Sequence, residues 1–330
     1  MSVTDGRPVR AGPEETPTVN DRPHDSGTTF RTLAPGQRCQ VWIADVTSGT
    51  AELRHETADI LLEAPNWTLD GEALILNGDG VLWRLPLTGG EPARIPLTGA
   101  PPLNNDHVLH PDGTTVLVSG EDGHIHRAPL TGGAATRLTG EPKTRQYLHG
   151  ASPDGQLLAY IETFRDDPAA PGIVTVAPAD ASTPPHRLDT GAGHSDGAEF
   201  TPDGTWIVLN TEAYADAPGH AQLARIRPDG TGLARLRTSP DVDWFPHLSP
   251  DGRLATFLSF PPGTLGHPEN LPVHLRVVPT TDWNTPLLDL PLFGGQGTLN
   301  VNSWSPHSNR FAFVAYPRAE DSATVTVVRH

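Results

Sequence analysis

Apolar residues run along this chain in short stretches of three to five, set between polar turns rich in Pro, Asp and Gly. Leu74–Leu76, Thr115–Val118, Leu157–Ile161, Trp206–Leu209, Leu254–Leu258 and Phe311–Val314 are too short for core helices. They are rich in branched and aromatic side chains, which predicts strands. Each follows a common anchor: Trp67-Thr-Leu-Asp-Gly71, Leu109-His-Pro-Asp-Gly113, Ala151-Ser-Pro-Asp-Gly155, Phe200-Thr-Pro-Asp-Gly204, Leu248-Ser-Pro-Asp-Gly252 and the degenerate Trp304-Ser-Pro-His-Ser308. Pro presets φ in such a turn and Gly accepts positive φ. The anchors lie 42, 42, 49, 48 and 56 residues apart, close to the roughly 40–50 residues of a four-stranded propeller blade.

The remaining strands of each unit are also legible. Leu82–Leu85 and Leu223–Ile226 read as third strands. Thr88-Gly-Gly90, Thr131-Gly-Gly133 and Pro228-Asp-Gly230 read as second turns, and Ala135–Leu138 as a fourth strand. Six anchors predict an all-β fold, a six-bladed β-propeller that closes by radial repetition. Closure requires the chain ends to share a blade. Val41–Val46 and Ala51–Arg54 supply strands three and four, and Asn302–Trp304 and Arg310–Tyr316 supply strands one and two. The run Thr324–Val328 is then surplus and is expected at a sheet edge. Residues 1–28 read as a flexible tail and 29–330 as a single propeller.

Composition narrows the function. Gly (33) and Pro (35) together argue against long helices. Basic residues number 23 against 39 acidic, a net charge of −16, which disfavours nucleic acid and anionic membrane surfaces as partners. Cys39 is the only cysteine, so an intramolecular disulfide and a cysteine-rich zinc site are excluded; it precedes an apolar strand and reads as core packing. No apolar run has the length of a membrane-spanning helix. The polar N-terminus does not read as a secretory signal, so the expectation is a cytoplasmic protein. No P-loop or dinucleotide fingerprint is present, and no nucleotide cofactor is expected.

In a four-stranded meander the two–three loops and the blade-to-blade connections share one rim. The extra length collects there, in 164–172, 211–220 and 259–272, and variable loops on a rigid scaffold carry function. Polar residues cluster at the same end of the channel. Glu63 and Asn66 open the first repeat; Asn104, Asn105, Asp106 and His107 the second; and His149 the third. His194, Asp196 and Glu199 open the fourth, Asp243 through His247 the fifth, and Gln296, Asn300 and Asn302 the last. Three readings follow. In the first, the residues join blades to one another, as buried polar groups require. In the second, His107, His149 and His247 hold one divalent metal, with zinc, manganese, iron and calcium all left open. In the third, the amides and carboxylates, with the face of Trp244, bind a polyol.

The Ser-Pro-Asp-Gly units with Gly-Gly turns resemble the repeats of TolB-like propellers, also found in the propeller of dipeptidyl-peptidase-IV-like proteins. Asn104-Asn-Asp-His107, Asp196-Gly-Ala-Glu199, Asp243 through Gly252, Gly266-His-Pro268 and Leu292 through Asn302 are similar to a subgroup of stand-alone members. Family TolB proteins are periplasmic and carry an additional N-terminal α/β domain, and the peptidases a hydrolase domain. Neither is read in this chain. Oligogalacturonate lyase resembles it more distantly. That likeness implies a set of metal-bound histidines with a glutamine, onto which His107, His149, His247 and Gln296 would map.

The expected function is therefore an enzyme at the channel mouth, acting on a small polar, carbohydrate-like or natural-product substrate by lyase, hydrolase or isomerase chemistry, with or without a metal. His107, His149, His247, Glu199 and Asp196 are the expected catalytic groups. Asn104, Asn105, Asp106, Glu63, Asn66, Trp244, His267, Gln296, Asn300 and Asn302 are the expected substrate contacts. The alternative is a non-catalytic TolB-like propeller that binds a ligand or a protein partner.

Overall fold

The computed structural model describes residues 30–140, 143–167, 169–318 and 325–330; the proposed tail 1–28 lies outside them. Six antiparallel sheets are arranged as a six-bladed propeller. The first blade comprises Glu63–Trp67, Ala73–Gly78, Val81–Pro86 and Ala93–Arg94, and the second Leu103–Leu109, Thr115–Gly120, Ile125–Pro129 and Thr136–Arg137. The third comprises Thr144–Ala151, Leu157–Phe164, Ile173–Pro178 and His186–Arg187, and the fourth Ser195–Phe200, Ile207–Thr211, Gln222–Ile226 and Ala234–Arg235. The fifth comprises Val242–Leu248, Leu254–Phe260, Glu269–Pro279 and Leu288–Gly295.

The sixth sheet joins the two ends of the described chain. Cys39–Asp45 pairs with Thr50–Thr57 on one side and with Arg310–Ala315 on the other, in register from Gln40↔Ala315 to Asp45↔Arg310. Its innermost strand shrinks to a single bridge, Trp304↔Phe311. At the C-terminus, Val328–Arg329 adds a fifth strand to the fifth blade against Leu288–Asp289. Thr324, where that strand was expected to begin, lies outside the described residues.

The uninterrupted apolar runs have a direct cause. A strand projects alternate side chains to opposite faces, and a middle strand here has a neighbouring blade on each face. Ile207 and Leu209 pack with Ile161 and Val174 of the third blade, whereas Val208 between them packs with Phe257 and Val278 of the fifth. Leu74 and Leu76 face the sixth blade, and Ile75 faces the second. Both faces are buried, so both must be apolar. Cys39 joins the sixth blade to the first: its sulfur lies 3.3 Å from the Leu62 amide and 3.4 Å from the Leu62 carbonyl. Burial pushes its thiol pKa up to about 12.

Blades approach most closely at their inner strands. A methyl group on Gly150 would stand 2.8 Å from the Ala198 carbonyl and 3.2 Å from the Glu199 Cα. Backbone cannot retreat from that contact as a flexible side chain could. Gly150→Ala should therefore lower stability by about 1–3 kcal/mol, measured by urea unfolding. A midpoint equal to that of the unsubstituted protein would show that the third and fourth blades are not packed this tightly.

Candidate functional site

The innermost strands of the first five blades are bulged, and the bulges build the mouth. Register shifts fall between Glu63 and Asn66, Leu103 and His107, Leu148 and Gly150, Asp196 and Glu199, and Trp244 and His247. A bulge inserts an extra residue and re-aims its neighbours. At three of them the extra residue is left-handed: Ala64 at φ 52°, Gly197 at 63° and Phe245 at 56°. For Phe this is a strained conformation, held here among Trp244, His149 and His267. Gly197 is needed where it stands, because a methyl there would lie 2.8 Å from the Asn210 Oδ1 and 3.3 Å from the Phe245 Cα.

At the centre of the mouth is Asp196. Its Oδ1 accepts from His149 Nε2 at 2.8 Å and from the Gly197 amide at 2.7 Å. Its Oδ2 lies 3.4 Å from His194 Nε2 and 3.8 Å from His267 Nε2. The Gly172 amide donates to His194 Nδ1 at 2.9 Å, so the neutral His194 ring carries its proton on Nε2, toward Asp196. Asp106, buried, accepts from Asn104 Nδ2 at 2.8 Å. A second set of contacts runs around the ring. Asn105 Nδ2 donates to Glu63 Oε1 at 3.2 Å, and Gln296 Nε2 donates to Asn105 Oδ1 at 3.3 Å. Gln296 Oε1 accepts from Asn300 Nδ2 at 3.1 Å and from His267 Nδ1.

The electrostatics divide these groups. Burial alone would lower the His149 pKa, but the charges of Asp196 and Asp106 outweigh it and raise it to about 9. Burial likewise acts to raise Asp196, yet His149 and His194 hold it well below the usual carboxylate range. The two form a standing ion pair. Asp106 is raised, chiefly by burial and also by the Asp196 charge. His267 is lowered by burial, despite Asp196. His194 is raised, because Asp196 overcomes its burial.

The structure brings together at the mouth Glu63, Asn104, Asn105, Asp106, His149, Asp196, His267, Gln296 and Asn300 of the expected residues. Trp244 lies beneath them: it is 1% exposed, with the His267 ring 4.5 Å above its own. It therefore presents the imidazole to the channel rather than an open indole face.

Four others form a separate network between blades. His247 Nδ1 lies 2.6 Å from Glu199 Oε2, and His247 Nε2 lies 3.2 Å from the Leu299 carbonyl. Glu199 Oε1 also accepts from the Leu248 amide and Asn302 Nδ2. Asn66 donates to the Asn302 carbonyl and accepts from the Leu109 amide. These polar groups are engaged with one another and join the first, second, fourth, fifth and sixth blades. His107, fully buried, lies 3.3 Å from the Ile75 carbonyl, and burial lowers its pKa to about 4.

His107, His149 and His247 thus meet three different partners. Among the described residues no group of three or more His, Cys, Asp or Glu is disposed to hold a metal ion. The expected metal triad does not fit this arrangement, and no step below uses a metal.

Sequence reasoning did not assign His194, which shares the strand start of Asp196, or Phe245, where positive φ is invisible in the sequence. It also missed Arg31 and Glu269. Arg31 precedes the first strand and has no counterpart in the repeat, so periodicity offers no signal for it.

The fold and the mouth define a six-bladed propeller with a polar, histidine- and carboxylate-lined channel entrance. A solved structure from Agrobacterium tumefaciens, presented as a candidate TolB, is 35% identical to this chain, with a TM-score of 0.76, covering 85% of this chain and 99% of its own. An uncharacterized protein of Agrobacterium fabrum is 36% identical over 261 residues, 78% of this chain and 85% of its own length. The chain belongs to the TolB-like propeller family. An oligogalacturonate lyase in complex with manganese shares the fold at 14% identity and a TM-score of 0.52, covering 80% of each chain. No protein-family model matches. Among the described residues no helix is long and apolar enough to cross a membrane.

Proposed function

We propose that the channel mouth is an acid–base site for a small polar molecule bearing hydroxyl groups. One observation carries the reading. Asn300 Oδ1 accepts from the Gly297 amide at 2.8 Å, so its Nδ2 faces Gln296 and fixes the Gln296 Oε1 toward His267. His267 Nδ1 must then donate, which leaves a lone pair on Nε2 in the neutral ring. That lone pair faces Asp196 Oδ2, another acceptor, across 3.8 Å. The bare Nε2 calls for a donor, and a ligand hydroxyl supplies one.

His267 then takes the hydroxyl proton at Nε2 while the electron pair stays on the ligand oxygen. Asp106, whose charge also helps hold the proton on His149, is the second titratable group of the mouth and exchanges a proton with the ligand elsewhere. The His149–Asp196 ion pair holds the site in shape. Proton transfers of this kind serve lyase, hydrolase and isomerase reactions alike. The manganese of the oligogalacturonate lyase is not carried over, because His107, His149 and His247 meet different partners.

A non-catalytic binding propeller is the second reading. The internal pairing of Glu63, Asn105, Gln296 and Asn300 favours it, since such groups suit recognition without turnover.

Incubating the protein with a panel of neutral and acidic mono- and oligosaccharides, followed by NMR, tests both. A panel member should bind and be converted. His267→Gln and Asp106→Asn should keep binding and lose turnover by about 100-fold or more. Conversion at an undiminished rate in both variants would remove the acid–base assignment. Binding without conversion would establish the second reading.

A further inference from the structure

We infer that Arg31, in the segment ahead of the first strand, is a positioning residue that sets where the proton sits on His267. The inference rests on the acid–base reading above. Arg31 reaches three parts of the ring at once. Its Nη1 donates to Glu63 Oε1 of the first blade and to the Gln296 carbonyl at 2.7 Å. Its Nε lies 2.9 Å from Glu269 Oε2, two residues beyond His267 on the fifth blade. Its guanidinium lies over the Tyr316 ring, 5.3 Å from the centroid, and the Tyr316 hydroxyl donates to the Leu62 carbonyl at 2.8 Å.

The directions of the hydrogen bonds matter more than their number. Arg can only donate, so Glu63 Oε1 must accept. Asn105 then turns its amide nitrogen to Glu63 and its oxygen to Gln296. Gln296 in turn offers its nitrogen to Asn105 and its oxygen to His267. The sequence of bonds ends at the His267 Nδ1–H, leaving Nε2 bare toward Asp196. Arg31 thus sets the polarity of a path that finishes at the proposed base, without touching the mouth's reacting atoms. Asn300 supports the same Gln296 orientation from its own turn.

Packing at Gly297 agrees. A methyl there would meet the Tyr316 hydroxyl at 2.5 Å, Glu63 Oε1 at 2.6 Å and Arg31 Nη1 at 2.9 Å. The backbone between Gln296 and Asn300 is therefore pressed against the guanidinium and its partners. Gln37 ties the same segment to the rim: its Nε2 donates to Asn270 Oδ1 at 2.6 Å and to the Tyr316 carbonyl at 2.9 Å.

Without Arg31, buried Glu63 loses its cation and can take a proton. It can then donate to Asn105, whose amide turns, and Gln296 follows, exchanging its bond with Asn300 Nδ2 for one that donates to His267. His267 would place its proton on Nε2 and donate to Asp196. The charged and titratable groups acting on His267 are Asp196, Asp106 and His149, and Arg31→Met leaves all three in place.

The test reads the imidazole 15N shifts of His267 in the full chain, which report the protonated nitrogen without any substrate. The unsubstituted protein should show the Nδ1–H form. Arg31→Met should raise the Nε2–H population at least tenfold, while the His247 and His107 signals keep their positions and certify the fold. Arg31→Lys, a second variant that retains a cation near Glu63, should give a smaller rise in the same direction. Gln296→Leu, which removes the acceptor itself, marks the full switch. An Nδ1–H form unchanged in both Arg31 variants overturns this inference and leaves the acid–base site standing. An unsubstituted protein already in the Nε2–H form overturns the acid–base reading and this inference with it.

Discussion

Replacing Asp196 with Asn should uncharge His149. The variant keeps the shape of the side chain but removes the anion that holds the imidazolium. Burial then acts against the charge with only Asp106 opposing it, and the His149 midpoint should fall from about 9 to below 6.5. The stability consequence has a definite sign. A histidine whose folded pKa is raised stabilises fully below its unfolded value near 6.5, and that contribution is lost as pH rises through about 9. Its size is about 3 kcal/mol.

The unsubstituted protein should therefore lose stability between pH 6.5 and 9.5. Asp196→Asn should be less stable near pH 7 and nearly flat across that window. Asp196 itself has a depressed pKa, so its own contribution is lost only in strong acid. Turnover should fall by about 100-fold or more. Urea unfolding at pH 6.5, 8 and 9.5 checks the first part. Parallel curves for the two proteins would show that the pair is not the ion pair described.

Asp243→Ala should cost more stability than any change at the mouth. Asp243 is fully buried, accepts from Arg237 Nε at 3.0 Å and from Ser259 Oγ at 2.5 Å. Arg237 is itself buried, reaching the Trp283 carbonyl at 2.9 Å and lying over Phe257. Removing one partner leaves an uncompensated buried charge, worth about 3–5 kcal/mol.

Burial raises the Asp243 pKa to about 6 even against Arg237. A raised carboxyl stabilises most below its unfolded value and loses that contribution as pH rises through 6. At pH 5 the unsubstituted protein keeps most of that contribution, which it has lost by pH 7, whereas Asp243→Ala has none to lose, so the penalty of Asp243→Ala should be larger at pH 5 than at pH 7. Unfolding at pH 7 and pH 5 measures the difference. A smaller penalty at pH 5 would contradict the assigned direction. Asp243 opens the fifth repeat beside Trp244, yet it belongs to the seam with the fourth blade and not to the mouth.

That contrast separates what the chain declares from what folding decides. The fold was legible because a blade is a local object. Pro-Asp-Gly fixes a turn within four residues, and an apolar run fixes the strand that follows. Repetition of the unit at nearly constant spacing then fixes the architecture. The continuous apolar runs also stated that both faces of each middle strand are covered, as Ile207, Val208 and Leu209 demonstrate. The end of the channel that carries polar groups was legible too, because every innermost strand opens at the same face.

Pairing was not legible. Asp196 and Glu199 are three residues apart, yet across the bulge between them one meets His149 at the mouth and the other joins the separate network with His247. His149 and His247 look equivalent in the sequence, but one meets a carboxylate of the next blade at the mouth and the other is sealed between Glu199 and the Leu299 carbonyl. Trp244 reads as a platform and is covered by His267. Arg31 has no repeat equivalent at all. By itself, then, the sequence determined the six blades, their order and the polar rim, because those follow from short-range turn chemistry and strand periodicity. The tertiary structure alone decided which histidines and carboxylates meet, because those contacts join residues up to 71 positions apart, and ring closure together with single-residue bulges sets them.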